Sequence, residues 1–283
     1  SDYQENFELA DRWILSRLNR TIEKVTENLH HYGINESFNA IYHFFWDEFC
    51  DWYLEMIKPR LSSEEDTVEK ITAQTVATHV LKTCMNLLHP YIPFITEEIW
   101  QRLKNEGETS IVVHFWPQVE SALFDDAAER EMRFIQDAIG GIRTTRSEMN
   151  VPPSKKAKLL YRTSDDHRER LLNKYEDYIK RLSRTESIAP IRKNQDLKST
   201  ATLVIDNTEL FIPLADLINL EAERQRLEKE IDRISNQVVG LQKKLSNEDF
   251  LQKAPEQVVQ RDKEKLQSFT EKLNKLKANL DRL

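Results

Sequence analysis

The order of apolar and polar residues predicts helices along most of this chain. Within 38–60, FNAIYHFFWDEFCDWYLEMIKPR, the residues Phe38, Ile41, Tyr42, Phe45, Phe49, Trp52, Tyr53 and Met56 recur at the spacing of one helix face. Phe44, Trp46, Cys50 and Leu54 interrupt the opposite side, so the segment reads as a helix surrounded inside a bundle. Gly33 and Asn35 break and cap it upstream, and Pro59 ends it. A helix over 9–31 precedes it, with Leu9, Trp13, Ile14, Leu18, Ile22, Val25 and Leu29 as its buried stripe. Asp66 and Glu69 have the spacing of a capping box that opens a third helix, which Pro90 stops. A short fourth helix starts near Pro93 and finishes before Gly107. With a β-like tail over 111–115, these elements form a first domain, 1–118.

A further helix is expected over 125–149, disturbed at Gly140 and Gly141 and ended by Val151, Pro152 and Pro153. A strand (157–161), a helix (165–182), a strand near 188–191 and a hairpin of 200–205 with 209–213 then make a small α/β domain, 119–216. From Leu217 the pattern changes to heptads. Leu217, Leu220, Leu227, Ile231, Ile234, Val238, Leu241 and Leu245 form one seam, with Arg224 its charged member. Val259, Leu266, Phe269, Leu273, Leu276, Leu280 and Leu283 form another, with Asp262 the exception. Two such stretches can dimerise or fold back on each other; folded back antiparallel, Glu223 and Glu230 face Lys272 and Lys265, while Glu221 and Glu228 face Lys277 and Lys263. The charges therefore suit a hairpin, 217–283, with arms roughly 40 Å long at 1.5 Å per residue. The fold class is mainly α: a helical bundle, a small α/β domain and an antiparallel coiled coil.

Composition narrows the chemistry. No apolar run approaches the roughly 20 residues that span a bilayer, and no signal peptide opens the chain. Cys50 and Cys84 have neither metal nor redox spacing, which fits a reduced, cytoplasmic setting. With 5 glycines, neither GxGxxG nor GxxxxGK[ST] occurs. The net charge of −7 is uneven: residues 1–118 carry 10 basic against 19 acidic side chains, and residues 218–283 carry 14 against 12. Global charge would not draw a polyanion to this chain, so any nucleic-acid binding rests on local patches.

No catalytic constellation stands out. Asp47, Asp51 and Glu55 lie at i, i+4 and i+8, but a salt-bridged helix face explains them without a nucleophile or cleft. The seven histidines have no zinc-ligand spacing, so no metal is expected. Two cationic groups remain. Arg17, Arg20 and Lys24 share one helix flank, readable as a solvated face or as a contact surface. Arg226, Lys229, Arg233, Lys243 and Lys244 run along the outside of the hairpin, with Lys253 at its tip and Arg261 opening the returning arm. Such a stripe suits a phosphate backbone or merely keeps a coiled coil soluble. Arg143, Arg146, Lys155 and Lys156 cluster around a helix end and loop.

Three stretches carry a family. LADRWILSRLNRTI from Leu9, FCDWYLEMIKPRL from Phe49 and HPYIPFITEEIWQRL from His89 resemble the anticodon-binding bundle of class I aminoacyl-tRNA synthetases of the valine, isoleucine and leucine group. The segment from Cys50 to Glu55, RSEMNVPPSKK from Arg146, and LSNEDFLQKAPEQVV from Leu245 bring the resemblance nearest to the valyl branch. The Cys-rich zinc module of many isoleucine enzymes is missing. The resemblance covers essentially the whole chain. It implies the C-terminal part of a ligase that joins valine to tRNA(Val) with ATP. The HIGH-like and KMSKS-like motifs, and with them the ATP site, would lie in a catalytic domain outside this sequence, so no cofactor is expected here. It further implies a monomer that binds tRNA and neither DNA nor membrane. Arg17, Arg20, Lys24 and the aromatic Phe38 would serve the anticodon, and the hairpin cations would serve the tRNA elbow. Another class I synthetase, or a non-catalytic scaffold built on the coiled coil, stays open on the residues alone.

Overall fold

A computed structural model describes residues 4–192, 197, 199–247 and 255–281. The chain forms two compact units, Ser1–Phe134 and Ile135–Leu283.

In the first unit, α1 (Leu9–His30) buries Leu9, Trp13, Ile14, Leu18, Ile22 and Val25 as its spacing requires. The next helix is continuous but changes pitch. α2 (Ile34–His43) leads into a π-helical stretch (Phe44–Tyr53) and then α3 (Leu54–Leu61). The buried positions step from Ser37 to Ile41 to Phe44, then five residues to Phe49, then to Tyr53, Met56 and Ile57. That five-residue step is the extra residue per turn that a π-helix inserts. Without it, an α-helical period would turn Glu48 and Asp51 towards the core. The expectation of a helix enclosed on nearly all sides is corrected accordingly, because Tyr42 and Trp46 are 46% and 50% exposed. Pro59 does not end the helix either. The last turn runs on to Leu61, closed by the Ser62 N–H on the Lys58 carbonyl (3.0 Å) and the Ser62 hydroxyl on the Pro59 carbonyl (2.9 Å).

α4 (Val68–Leu88) is capped one residue later than its sequence suggests: the Thr67 hydroxyl accepts the Lys70 N–H, while Asp66 pairs with Lys70 Nζ at 3.0 Å. α5 (Pro93–Leu103) has proline at its start, where a missing N–H costs nothing. No strand forms at 111–115. The Glu97 carboxylate takes both the Ser110 hydroxyl (2.8 Å) and the Ile111 N–H (3.1 Å), and a 3-10 turn over Ile111–Val113 follows. Those local bonds consume the donors a strand would need.

α6 (Asp126–Glu148) is one unbroken helix, so Gly140 and Gly141 do not disturb it. Gly141 instead admits a neighbour: a methyl group there would meet Leu203 Cδ1 at 2.6 Å, whereas Gly140 faces open space. In the second unit, β1 (Ala157–Thr163), β2 (Thr185–Pro190), β3 (Thr200–Ile205) and β4 (Thr208–Pro213) form one sheet in the order β2-β1-β4-β3. β1 and β2 are parallel, and the other pairs are antiparallel. The helix expected over 165–182 is divided into α7 (Asp166–Lys174) and α8 (Glu176–Ser183) by Tyr175, whose φ and ψ are −109° and 25°.

α9 (Leu220–Leu245) and α10 (Glu256–Asp281) pack against one another through Ile234, Val238 and Leu273, flanked by Ile231, Leu266, Phe269 and Leu276. They run antiparallel, as Glu230 with Lys272 (3.1 Å) and Lys244 with Asp262 (2.7 Å) show. The register differs by one heptad from that expected: Glu230 meets Lys272, not Lys265. Among the described residues no ion pair joins Glu221 to Lys277 or Glu228 to Lys263. Arg224 is exposed, and Glu223, 8% exposed, takes the inward place. Asp262 is buried in the seam and finds its counter-charge in Lys244, which is how a polar seam residue selects register.

Two outcomes follow from this packing. Gly140→Ala should raise stability by about 1 kcal/mol, the ordinary gain for alanine over glycine inside a helix. Gly141→Ala should gain less or lose, because Leu203 has to move; paired thermal melts read the difference. Lys272 and Arg233 hold the Glu230 carboxyl at about 2, well below its ordinary 4.5, Arg233 contributing most. The folded-state value is depressed, so the stability it brings is present above pH 4.5 and is lost as pH falls towards 2. The melting difference between Glu230→Gln and the parent chain should therefore be constant above pH 5 and shrink below about 4.5.

Candidate nucleic-acid interface

In the first unit the expected anticodon flank is only partly open. Asp11 is fully buried at the start of α1 and accepts from Arg60 Nη1 (2.8 Å), the Tyr53 hydroxyl (2.8 Å) and the Glu8 N–H (3.0 Å). Further along the same helix, Arg17 forms a two-pronged pair with Glu48 (2.7 and 2.8 Å) and reaches Glu129 at 3.5 Å. Arg20 binds Glu129 at 2.6 Å, also pairs with Asp126, and lies 5.2 Å over the ring of Phe124. These contacts raise both guanidinium pKa values, each first through its carboxylate hydrogen bond. Glu129 also accepts the Ser16 hydroxyl. Two of the three expected RNA cations thus fasten α1 to the beginning of α6. Lys24, one turn on, is exposed and has no ion-pair partner among the described residues.

Phe38 stands in an aromatic run, 6.1 Å from Tyr42 and 5.3 Å from Tyr91 by ring centroids. With Tyr42 half exposed, this face offers rings on which unstacked bases can lie. The sequence placed Phe38 and Tyr42 on one helix face, but only the fold brings Tyr91 beside them. A cleft of 660 Å³ lies elsewhere in this unit, lined among others by His79, Lys82, Trp100, Phe115 and Glu120. Lys82 is committed to Glu108 at 2.9 Å, which holds that carboxyl at about 2, and lies 5.1 Å over the Trp100 ring. Burial lowers the pKa of His79, so the cleft has no surplus positive charge to attract phosphate. No periodic signal in the sequence announced it.

On the hairpin the expected cations divide in the same way. Arg226 forms a two-pronged pair with Glu223 (2.9 and 2.6 Å), and Arg233 does so with Glu230 (2.9 and 2.6 Å). Lys244 is held by Asp262. Lys229, Lys243 and Arg261 are exposed, with no ion pair among the described residues. Lys253 lies outside the described residues. Glu223, which also accepts Asn150 Nδ2 at 3.1 Å, ties the root of α9 to the end of α6. Among the described residues there is no cluster of metal-ligating side chains and no helix long and apolar enough to cross a membrane. Cys50 and Cys84 are unpaired thiols whose pKa values burial pushes up.

Comparison with known proteins matches both cationic regions. Residues 11–161 fit the family described as the anticodon-binding domain of tRNA ligase, and residues 219–283 fit the valyl tRNA synthetase tRNA binding arm. Valine–tRNA ligase of Geobacillus stearothermophilus is 43% identical over 275 residues, covering 97% of this chain and 31% of its own length. The enzymes of Oceanobacillus iheyensis and Thermotoga maritima are each 40% identical, over 100% and 98% of this chain and 32% and 31% of theirs. The chain spans about a third of the length of the curated relatives it matches. A bundle matched over more than half the chain, followed in order by the matched arm, means that this chain belongs to the anticodon-binding family of tRNA ligases, with the arm of the valyl-tRNA synthetases.

Proposed function

We propose that this chain is the tRNA-holding C-terminal region of a valine–tRNA ligase, seating tRNA(Val) while a catalytic domain elsewhere in the parent enzyme attaches valine using ATP. The observation that carries this reading is the order of the two matched regions on one chain, a bundle and then a rod whose 26-residue helices span about 40 Å. Anticodon bases are single-stranded and can be splayed onto aromatic rings, which the Tyr42, Phe38 and Tyr91 run supplies. A rod with exposed Lys229, Lys243 and Arg261 reaches a second part of the same RNA, and two linked contacts bind far more tightly than either alone. Within this reading the chain works as a monomer in the cytoplasm, and by itself it forms no valyl-adenylate.

Deletion of residues 218–283 removes the rod together with the bond between Asn150 and Glu223. It should leave the melting of the first unit unchanged and lower affinity for tRNA(Val) on the order of 100-fold at physiological salt. Unchanged affinity would assign the hairpin to a protein contact instead. In the bundle, Lys24→Ala should leave stability untouched and reduce the log–log salt slope of tRNA binding by about 0.7–0.9. Arg17→Ala should instead destabilise the fold by about 1–3 kcal/mol, because Glu48 loses its partner and Glu129 keeps only its other two. Parallel melts and filter-binding titrations separate the two roles.

A further inference from the structure

Cations at the end of α6 have no part in the two contacts already assigned. Arg146 is 7% exposed; among the described residues it has no ion pair, and its guanidinium donates to the carbonyls of Lys155 (2.7 Å), Pro152 (3.4 Å) and Arg184 (3.4 Å). A buried charge without a counter-ion is costly, so the surrounding carbonyls must hold it. Burial, and then the neighbouring Arg184, lower its pKa. Arg184 in turn donates to the Pro153 carbonyl. Three carbonyls, of Pro152, Lys155 and Arg184, are thus turned onto the buried Arg146 guanidinium, while exposed Arg184 holds a fourth, that of Pro153. Asn150, at a φ of 50°, makes the turn that starts the loop.

That arrangement leaves the outer side of the loop to its lysines. Lys155, Lys156 and Lys158 converge on a hollow of 290 Å³, shared with Glu186, Asp216, Pro213 and Leu217. Lys155 donates to the Asp216 backbone carbonyl (2.9 Å), and Lys158 lies 3.6 Å from the Asp216 carboxylate. Lys156 has no ion pair among the described residues. Two acids against three lysines, with Arg146 and Arg184 close by, leave a local positive surplus at the hollow. No aromatic residue lines the hollow, so it has nothing on which to stack a base. It lies at the root of the hairpin, because Asn150 bonds Glu223 and Leu217 borders the hollow.

We propose that the loop stapled by Arg146 is a third RNA contact, in which Lys155, Lys156 and Lys158 bind phosphates of the RNA backbone as it runs to the arm. This rests on the reading that the chain binds tRNA. Lysine suits the task as a compact, mobile point charge, and it reads charge without reading sequence.

Phosphate-modification footprinting of an unmodified tRNA(Val) transcript on the 283-residue chain tests this directly. The parent chain should protect three separate groups of phosphates: anticodon, elbow and one more. Changing Lys155, Lys156 and Lys158 together to Gln should abolish the third group alone and lower the log–log salt slope by about 2. Changing all three to Arg should restore both, and melts of all three proteins should coincide because the lysines are exposed. Protection confined to anticodon and elbow, or a third group that survives the Gln changes, would overturn the loop contact while leaving tRNA binding in place. No protection anywhere would remove both.

Discussion

The buried carboxylate of Asp11 ties three parts of the bundle together. An ionised side chain out of water needs nearly all its acceptor capacity filled, and here Arg60, Tyr53 and the Glu8 N–H fill it from three places in the chain. Tyr53 can reach it only because the π-helical stretch adds a residue to the turn and swings Tyr53 onto the buried face. The same insertion sends Asp47 and Asp51 outward and leaves Glu48 at the flank, where Arg17 meets it. One change of helical pitch therefore settles the core and the ion pairs together.

Charge balance then decides which cations are available. The first unit has a surplus of acids, and its arginines on α1 are drawn into them: Arg12 onto Asp125, Arg17 onto Glu48 and Glu129, Arg20 onto Glu129 and Asp126. Aromatic surface remains in this unit beside exposed cations with no ion pair among the described residues, among them Lys24, Arg130 and Arg133. Exposed rings suit the stacking of unpaired bases, and exposed cations suit phosphates.

The second unit divides its cations in much the same way. On the hairpin Arg226 and Arg233 each clasp a glutamate one turn back, while Lys244 and Asp262 set the register of the helix pair. Lys229 and Lys243 are exposed and have no ion pair among the described residues. At the loop of Arg146, too, a guanidinium holds fixed carbonyls while Lys156 has no ion pair among the described residues. That division follows from chemistry: a planar fork holds fixed acceptors well, whereas a point charge on a long stem follows a phosphate that moves.

The sequence alone determined the helices, the sheet's four strands, the coiled-coil hairpin and the family, because periodicity and motifs are local and survive without neighbours. Tyr42 and Trp46 escaped it, since a π-turn changes the period that such a reading assumes to be constant. So did the heptad of register between α9 and α10: Lys265 and Lys272 differ by one repeat, and only the buried pair of Asp262 with Lys244 selects between them. Gly141 looked like a helix breaker, because the approach of Leu203 comes from 62 residues further along. The largest gap concerned charge. Arg17 and Lys24 are equally basic on paper, yet one is spent on Glu48 and Glu129 and the other is free among the described residues, since a counter-ion is fixed by tertiary distance and not by spacing along the chain.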